Sequence, residues 1–413
     1  YYLLLIRYKK QSINFLKKVS IMKKAFYMMA AAAIALSSCS SEETTDVAKS
    51  SAISFRSAVG FNTRGIEMTN ADGYKMTRMT VSAFDESGAE FFKNYVFDES
   101  YGEFISSEHP SWPNHGSLNF VAYSHSGGDW TGATPVLKKD GATIDAFVPK
   151  TEIGDQLDVV FAQGTGNKTD NETAGLLLNF DHILSQIKIK AKHSSDNYTY
   201  QVKGIRIAYV GGSASYTFNS AKTDATRHTW TAPATQNVVY EKVFDQAVDL
   251  AKDATVDLTD KCNADGKVGG AMLIPQTLTV WNGTDVAADQ NTDFSGKAYI
   301  SLLINVKRGT TSIYPSDGTQ FGWAAVAIPA DAGQTTASWA AGNKYIYTLD
   351  LTNGCGKVDP VDPGTGVNPG GADDSKPKDP DKGEQIFGKE IKFTVQVVDW
   401  KPTPNEDGTN IPM

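Results

Sequence analysis

The sequence predicts an all-β protein built from β-sandwich domains, and three observations support this class. From residue 52 onward, short runs of β-branched and aromatic residues alternate with Gly, Asn, Asp and Ser turn residues. No window of about twelve residues there keeps a 3.6-residue apolar period, so long helices are not expected. The chain has 413 residues, 40% of them hydrophobic, which is enough for two or three cores. Closely spaced strands without helices between them are typical of sandwiches, and the length implies two.

The candidate strands follow one another along the whole chain. They span residues 53–59, 78–85, 90–97, 117–124, 143–148, 157–162, 176–180, 184–192, 201–210, 214–219, 268–275, 298–306, 323–329, 343–351 and 389–398. In the run Leu184–Lys192 the apolar side chains share one face (Ile187, Ile189, Ala191) and the lysines share the other (Lys188, Lys190, Lys192). A lysine-rich face predicts an antiparallel sheet with one side in water.

Two breaks divide the strand pattern. The polar, turn-rich stretch 163–175 is the best internal domain boundary. Residues 354–385 contain seven Gly, five Pro and six Asp with no Ile, Leu or aromatic residue, which predicts an extended, mobile linker. Beyond this linker, Lys389–Trp400 again alternates apolar and polar residues as a strand does. This strand completes a sheet either in its own domain or in a neighbouring molecule.

The first 38 residues predict an export signal and are set aside from the fold. Met22 is followed by two lysines and by the eleven-residue apolar run Phe26–Leu36, which is too short to span about 30 Å of hydrocarbon. Residues 1–21 lack an initiator Met and are interpreted as lying upstream of the start. Leu36-Ser-Ser-Cys39 resembles a bacterial lipobox, which makes Cys39 the lipidation site. The alternative is an ordinary signal peptide with an inert Cys39. Ser40–Glu43 then reads as a surface-export signal or as a solvated linker.

The charge balance argues against nucleic-acid partners. The whole chain carries 39 basic and 47 acidic residues, a net charge of −8. Residues 1–38 hold seven of the basic residues and no acidic one, so the remainder is at −15. Nothing in that remainder would offset repulsion from a phosphate backbone.

Motifs for catalysis or cofactors are weak or missing, so no catalytic residue, metal or cofactor is predicted. Gly164–Thr169 resembles a phosphate loop only superficially, because its Lys does not follow the last Gly. The histidines show no metal-ligand spacing, His182 reads as a structural imidazole, and Asn263–Gly266 is explained by a turn. No GxSxG nucleophile motif is present.

The cysteines and tryptophans leave alternatives open. Cys262 and Cys355 could pair or stay free, since spacing in the chain says nothing about distance in space. Core packing is favoured over a sugar-binding platform for the tryptophans: Trp112, Trp130, Trp230, Trp281, Trp323, Trp339 and Trp400.

Several segments together resemble the fimbrillin (type V pilin, Mfa-like) family. Besides the lipobox, these are Ile53-Ser-Phe55 followed by Asn62-Thr-Arg64-Gly65, the strand Leu118–Ser124, and the motif Asn179–Ile189. Later matches are Leu273–Gln276, Lys344–Leu349 and Val398–Trp400. The resemblance covers nearly all of residues 39–400, and its strength lies in the order and spacing of the motifs.

The resemblance implies a domain plan. Residues 1–38 are the upstream extension and signal, and 39–64 are a lipid-anchored propeptide with the first strand. Residues 65–170 and 171–353 are two transthyretin-like β-sandwich domains. Residues 354–388 are the linker, and 389–413 carry the C-terminal strand.

It also implies assembly by strand exchange. An arginine-specific protease would cut between Arg64 and Gly65 and release the first strand with its apolar row (Ile53, Phe55, Val59, Phe61). The empty groove would accept a donor strand from another subunit with a similar row (Ile391, Phe393, Val395, Val397). Arg64 could equally be an ordinary exposed arginine before a turn.

The expected function is therefore a non-enzymatic fimbrial subunit that supports adhesion at the cell surface. Its partners would be other fimbrial subunits, the protease, a host or bacterial receptor, and the outer membrane through acylated Cys39. The alternative is a surface-retained lipoprotein that binds a glycan or host ligand as a monomer.

Overall fold

The computed structural model describes residues 51–59, 68–69, 74–127, 130, 132–222, 225–262, 269–287, 294–389 and 391–399. Within these ranges the chain is almost wholly β-structure, which confirms the predicted all-β class. Its helical segments are α1 (Lys168–Asn171) and the 3₁₀ turns Ile153–Asp155, Ala225–Arg227 and Thr259–Cys262. No helix in these described parts is both long and apolar enough to cross a membrane.

The strands up to residue 230 are β1 (Phe55–Val59), β2 (Met68–Thr69), β3 (Tyr74–Lys75), β4 (Arg78–Phe84), β5 (Glu90–Ser100), β6 (Glu103–Ile105), β7 (Ser117–His125), β8 (Val136–Lys138), β9 (Gly141–Phe147), β10 (Val159–Asn167), β11 (Leu176–His182), β12 (Ser185–Lys192), β13 (Thr199–Gly211), β14 (Ala214–Asn219) and β15 (His228–Trp230). Those that follow are β16 (Gln236–Asp249), β17 (Thr255–Asp257), β18 (Ala271–Leu273), β19 (Gln276–Thr279), β20 (Tyr299–Arg308), β21 (Thr311–Tyr314), β22 (Gly322–Ala327), β23 (Thr336–Trp339), β24 (Asn343–Asp350), β25 (Lys357–Val358) and β26 (Lys392–Asp399).

The N-terminal part is a closed barrel in the order β1-β11-β10-β7-β4-β5-β6. It closes where Phe55 of β1 lies opposite Phe104 of β6. The barrel core is aromatic and aliphatic, with Phe97, Phe120 and Phe180 all fully buried. Closure leaves β1 with a neighbour on each side, so the first strand is an internal part of this sheet.

A four-stranded sheet, β15-β14-β9-β8, packs against the barrel and corrects the expected boundary at residues 170/171. The rings of Phe161 in β10 and Tyr216 in β14 lie 5.2 Å apart in the core between the two sheets. Strands from both sides of the predicted boundary therefore pair in one sheet. The polar stretch 163–175 contains the end of β10, helix α1 and the turn into β11, so it connects two adjacent strands of the barrel.

The C-terminal part consists of two sheets that enclose a second core. One has the order β17-β12-β24-β26, with β18 also paired to β12, and the other has the order β16-β13-β20-β22-β25, with β21 paired to β20. Ile187 and Ile189 of β12 pack in this core with Ile205 and Ile207 of β13. Two small pairs, β19-β23 and β2-β3, complete the described strands.

The lysine face of β12 differs from the expectation of a wet surface. Lys188 is only 9% exposed, and its Nζ lies 3.0 Å from Asp257 and 3.4 Å from Asp260. Burial opposes the charge of Lys188, but these two carboxylates raise its pKa overall. The strand alternates as predicted, but the segment carrying the two aspartates covers the lysine.

The segment 354–388, which we call the strap, corrects the expected extended linker. It contributes β25, which pairs with β22, and it buries Val361, Val367 and Ile386. Asp359 is fully buried and accepts hydrogen bonds from the Tyr299 hydroxyl at 2.9 Å and the Ser301 hydroxyl at 2.7 Å. Because hydrogen bonds from buried polar side chains hold this segment, its low content of large apolar residues does not leave it extended.

Candidate strand-exchange elements

The first strand, β1, pairs along its whole length with β11 on one edge and meets β6 at Phe55 and Phe104 on the other. It runs parallel to β11, with Phe55 opposite Leu176 and Val59 opposite Phe180. Just before the strand, the Ile53 amide donates to the Pro110 carbonyl at 2.7 Å, and the Leu176 amide donates to the Ser54 carbonyl at 3.0 Å. An unpaired backbone group in a buried position is costly, so removal of β1 would uncover donors and acceptors that need a replacement strand.

The apolar side chains of β1 enter the centre of the barrel. Ile53, Phe55 and Val59 are each no more than 1% exposed. The Phe55 ring meets Phe97 at 4.8 Å and Phe120 at 5.1 Å, both in edge-on geometry. Burial of three such side chains contributes about 5–9 kcal/mol before ordering costs. The row predicted from the sequence is thus brought together at one face of β1.

Some predicted site residues fall outside the described residues. These are Phe61 of the first-strand row, the cleavage pair Arg64 and Gly65, and the lipidation site Cys39. Their assignments therefore remain predictions from the sequence.

The last strand, β26, forms the edge of its sheet in this chain. Among the described strands it pairs with β24 alone, antiparallel, with Phe393 opposite Leu349, Val395 opposite Tyr347 and Val397 opposite Tyr345. Residues directly opposite each other share a face, so the donor-candidate row lies on the core side of the sheet.

Burial of this row decreases steadily along β26. Ile391 is 8% exposed, Phe393 is half-buried, and Val395 and Val397 are 41% and 55% exposed. The Phe393 ring still contacts Tyr347, at 6.5 Å and edge-on. At the end of the strand, Val395 and Val397 therefore face the core side of the sheet but stay exposed to solvent.

The strap fixes the point at which β26 begins. Gly354 and Gly388 form an isolated bridge, and the Lys389 amide donates to the Asn353 carbonyl at 2.8 Å. A Cβ atom at Gly354 would collide with the Lys389 carbonyl, so glycine is needed for this close approach. The chain is held up to Lys389, and only the residues after it could move as a free strand.

The histidine that the sequence predicts to be structural, His182, is buried with a carboxylate partner. His182 and Asp158 are a buried pair, with His182 Nδ1 3.0 Å from Asp158 Oδ2. Among the residues with described positions, no cluster of three or more His, Cys, Asp or Glu side chains could hold a metal ion.

The two described cysteines, Cys262 and Cys355, are both free and buried, which resolves the open question of their pairing. Burial raises the pKa of each thiol, so neither is a reactive thiolate at neutral pH.

The tryptophans do not form an exposed platform. Trp112, Trp281, Trp323 and Trp339 are at most 5% exposed. The partly buried pair, Trp130 and Trp230, packs against the core between the barrel and the four-stranded sheet. Trp400 lies outside the described residues.

Sequence reasoning missed one group of polar residues around Arg206. This side chain is 7% exposed, donates from Nε to Glu241 at 2.9 Å, and lies 3.3 Å from both Asp359 and Asp362. Its guanidinium also stacks 4.0 Å from the centre of the Trp323 ring. Arg206 lies in β13 and its partners come from β16, β22 and the strap, so no local sequence signal could have revealed the cluster.

Comparison with known proteins gives the following matches. The chain matches the sequence profile of the family described as fimbrillin-like over residues 63–367. Among solved structures, a fimbrial protein from Bacteroides vulgatus is 16% identical, with a TM-score of 0.46, and the match covers 85% of this chain and 99% of that one. A protein from Bacteroides uniformis, described as a cell adhesion candidate, is 15% identical with a TM-score of 0.43, covering 85% of this chain and all 100% of that one. No curated protein matches this chain.

Proposed function

Because the chain belongs to the fimbrillin-like family, we propose that it is a non-enzymatic structural subunit of a cell-surface fimbria that supports adhesion. In this proposal the chain is exported as a lipoprotein through Cys39 and is held at the outer membrane. A protease then cuts between Arg64 and Gly65, and the processed subunits join by β-strand exchange.

The observation that carries this proposal is the position of β1. Its apolar side chains fill the barrel core, yet the strand lies at the N-terminal end of the described chain, a few residues before Arg64. A cut after Arg64 would separate the strand covalently from the rest of the barrel. Its loss would open a groove between β11 and β6, and a strand can be added to such exposed edges.

The two apolar rows match in residue type and spacing. Ile53, Phe55 and Val59 correspond, in the same chain direction, to Ile391, Phe393 and Val397. A donor strand in this register would place the same three side chains at the same positions in the groove. The rows differ at two positions, since Ser57 corresponds to Val395 and Phe61 corresponds to Asp399.

Heating in SDS tests polymer formation after cleavage. We expect protein cut at Arg64 to give a ladder of bands that collapses to monomer only on boiling. The Arg64→Ala variant, treated identically, should stay monomeric because β1 remains attached. Monomer at every temperature after complete cleavage would contradict the strand-exchange mechanism.

Truncation tests the identity of the donor. Deletion of residues 391–413 removes the row but keeps the strap, whose contacts end at Lys389. We expect the truncated, cleaved protein to form no ladder while it still accepts a synthetic peptide of residues 389–400. A ladder of normal length would assign the donor strand to another part of the chain.

Mass spectrometry of the protein from the cell surface tests the processing step. A mature N-terminus at Gly65 supports cleavage. An acylated Cys39 at the N-terminus would favour the alternative of a retained monomeric lipoprotein. The described tryptophans do not support a sugar-binding surface for that alternative, since they are buried or half-buried.

A further inference from the structure

The outer edge of β26 lacks the features that keep a second strand away from a sheet. Proteins guard such edges with bulges, with proline, or with charged side chains in the strand. β26 pairs with β24 over eight residues without a register shift. Its segment Phe393–Val398 contains no charged residue and no proline. Since no described strand pairs with its other side, this edge is open to pairing.

The edge strand β16, in the other sheet around the same core, is guarded in three ways. It carries charged residues in its middle, Glu241, Lys242 and Asp245. Its pairing with β13 shifts register at three places. Its edge is partly covered, because the Glu241 amide donates to the Thr151 carbonyl at 3.0 Å. The chain therefore protects one edge of this part of the molecule and leaves the other unprotected.

The side chains of β26 are also open to a further strand. Residues 394–397 are exposed on both faces of the strand. On the core side, Val395 and Val397 are 41% and 55% exposed, whereas the opposite residues of β24, Tyr347 and Tyr345, are buried at 2% and 7%. The apolar layer of the core thus continues to the edge of the sheet and is uncovered there. A strand with apolar side chains on the same face would cover it.

A second copy of β26 matches this edge. Residues directly opposite each other in an antiparallel pair share a face, so a twofold axis through Val395 keeps both core sides aligned. Val395 then lies opposite its own copy, and Phe393 lies opposite Val397 of the second copy. Because burial decreases along the row, the half-buried Phe393 of one copy meets the most exposed valine of the other. Like charges are not opposed, since Lys392 meets Val398.

We infer that the uncleaved chain forms a symmetric dimer in which β26 pairs with β26 of a second copy. The contact joins one sheet of each copy into a continuous sheet and covers Val395 and Val397. It goes beyond the proposed strand exchange and does not depend on it, because both copies keep β1 and β26 in their own sheets. A contact through single edge strands is small, so we expect a weak dimer with a Kd of about 10–100 µM.

Single cysteines test the register of this pair. In a Cys39→Ser background, Val395→Cys places two thiols opposite each other, with Cα atoms about 4.5–5.5 Å apart, which a disulfide can bridge. We expect a disulfide-linked dimer after mild oxidation. Val397→Cys is the matched control, because its two copies lie about 14 Å apart along the strands, too far for a bond. Cys262 and Cys355 do not compete, since both are buried.

Analytical ultracentrifugation of the uncut Arg64→Ala protein tests the dimer itself. Between about 1 and 200 µM, the sedimentation coefficient should rise from that of a monomer to that of a dimer and no further. Val395→Glu places two carboxylates on the axis and should weaken the dimer at least about tenfold. An equal mixture with Val395→Lys should restore it, which also shows that both variants fold.

The matched control for the charge variants is Val136→Glu. Val136 lies on the edge strand β8 and is 46% exposed, so its environment resembles that of Val395. This control should change the Kd of the dimer by less than about twofold.

Each contrary outcome overturns the inference. These outcomes are a monomer at every concentration, assembly beyond a dimer, an undisturbed dimer in Val395→Glu, or equal cross-linking of the two cysteine variants. The SDS ladder after cleavage is measured separately. A dimer without a ladder would contradict strand exchange alone, and a ladder without a dimer would contradict this inference alone.

Discussion

The first and last strands carry similar apolar rows, yet they differ in how many strands pair with them and in how deeply their side chains are buried. β1 has neighbours on both edges, and its Ile53, Phe55 and Val59 side chains are buried. β26 has one neighbour, and its row goes from a buried Ile391 to a half-exposed Val397. The comparison teaches that alternation specifies a strand, whereas the number of neighbours decides whether that strand is a core element or a removable edge.

In the proposed strand exchange, β26 would fit the barrel groove better than β1 does. In the matched register, Arg56 of β1 corresponds to Thr394 of β26. The Arg56 Nε is buried without a hydrogen-bond partner, and such a group costs about 1–3 kcal/mol. A donor strand would replace it with a short side chain and would replace Ser57 with Val395. We therefore interpret β1 as a strand that fills the groove but leaves one buried polar atom without a hydrogen bond.

The largest expected effect is the difference in stability lost when one side chain of each row is replaced by alanine. Phe55→Ala should destabilise the protein by about 3–5 kcal/mol, because it opens a cavity between Phe97 and Phe120. Val397→Ala should cost less than about 1 kcal/mol, because this side chain is 55% exposed. Urea unfolding of both variants measures the difference. Equal losses would mean that the last strand is as essential to the fold as the first.

The next effect concerns what holds the last strand in place. Asp359→Asn should destabilise the protein by about 3 kcal/mol, since it removes the buried charge that faces Arg206. Asp374→Asn, in an exposed part of the same strap, is the matched control and should change stability by less than about 0.5 kcal/mol. If both variants unfold at the same denaturant concentration as the unmodified protein, the strap does not depend on the ion pair between Asp359 and Arg206.

A smaller effect of opposite sign is expected at Arg56. Arg56→Thr should stabilise the uncut protein by about 1 kcal/mol, because it removes the unpaired buried nitrogen. It should also slow the replacement of β1 by a peptide of residues 389–400, since β1 would then fit better. Lys392→Thr, on the exposed side of β26, serves as the control. A destabilised Arg56→Thr protein would remove the argument that β1 is an imperfect fit.

The smallest expected effect concerns the labelling of Cys355, which should not change when the last strand is removed. Cys355, the second residue of the strap, is fully buried, and burial raises the pKa of its thiol, so iodoacetamide should not label it in the folded protein. Deletion of residues 391–413 should leave it protected, as Cys262 should be in the same sample. Rapid labelling of Cys355 alone, detected by mass spectrometry, would mean that the strap opens when β26 leaves.

Local patterns predicted most of the fold, and the failures have common physical causes. The run Leu184–Lys192 alternates as expected and forms β12, but the partners that bury Lys188 are about seventy residues away in the chain. The longest strand, β16, was not predicted because it is a polar edge strand with one neighbour. Its sequence has no continuous apolar face to recognise.

The candidate sites divide in the same way. The two apolar rows could be read from the sequence, since each needs only a period of two. The strap could not, because composition measures apolar content and its order comes from buried Asp359, Asn368 and Asp379. The position of Tyr209 could not be predicted either, since it depends on a register shift in the pairing between β13 and β16.

The parallel pairing of β1 with β11 has a mechanical consequence. All five residue pairs between them lie along one line, from Phe55–Leu176 to Val59–Phe180. Tension applied along that line would have to shear these contacts together, whereas a pull across the strands would open them one at a time. A donor strand seated in the same place, as we propose, would resist a pull along its own axis better than a pull across it. The pairing between β1 and β11 would then also set how firmly a replacement strand is held.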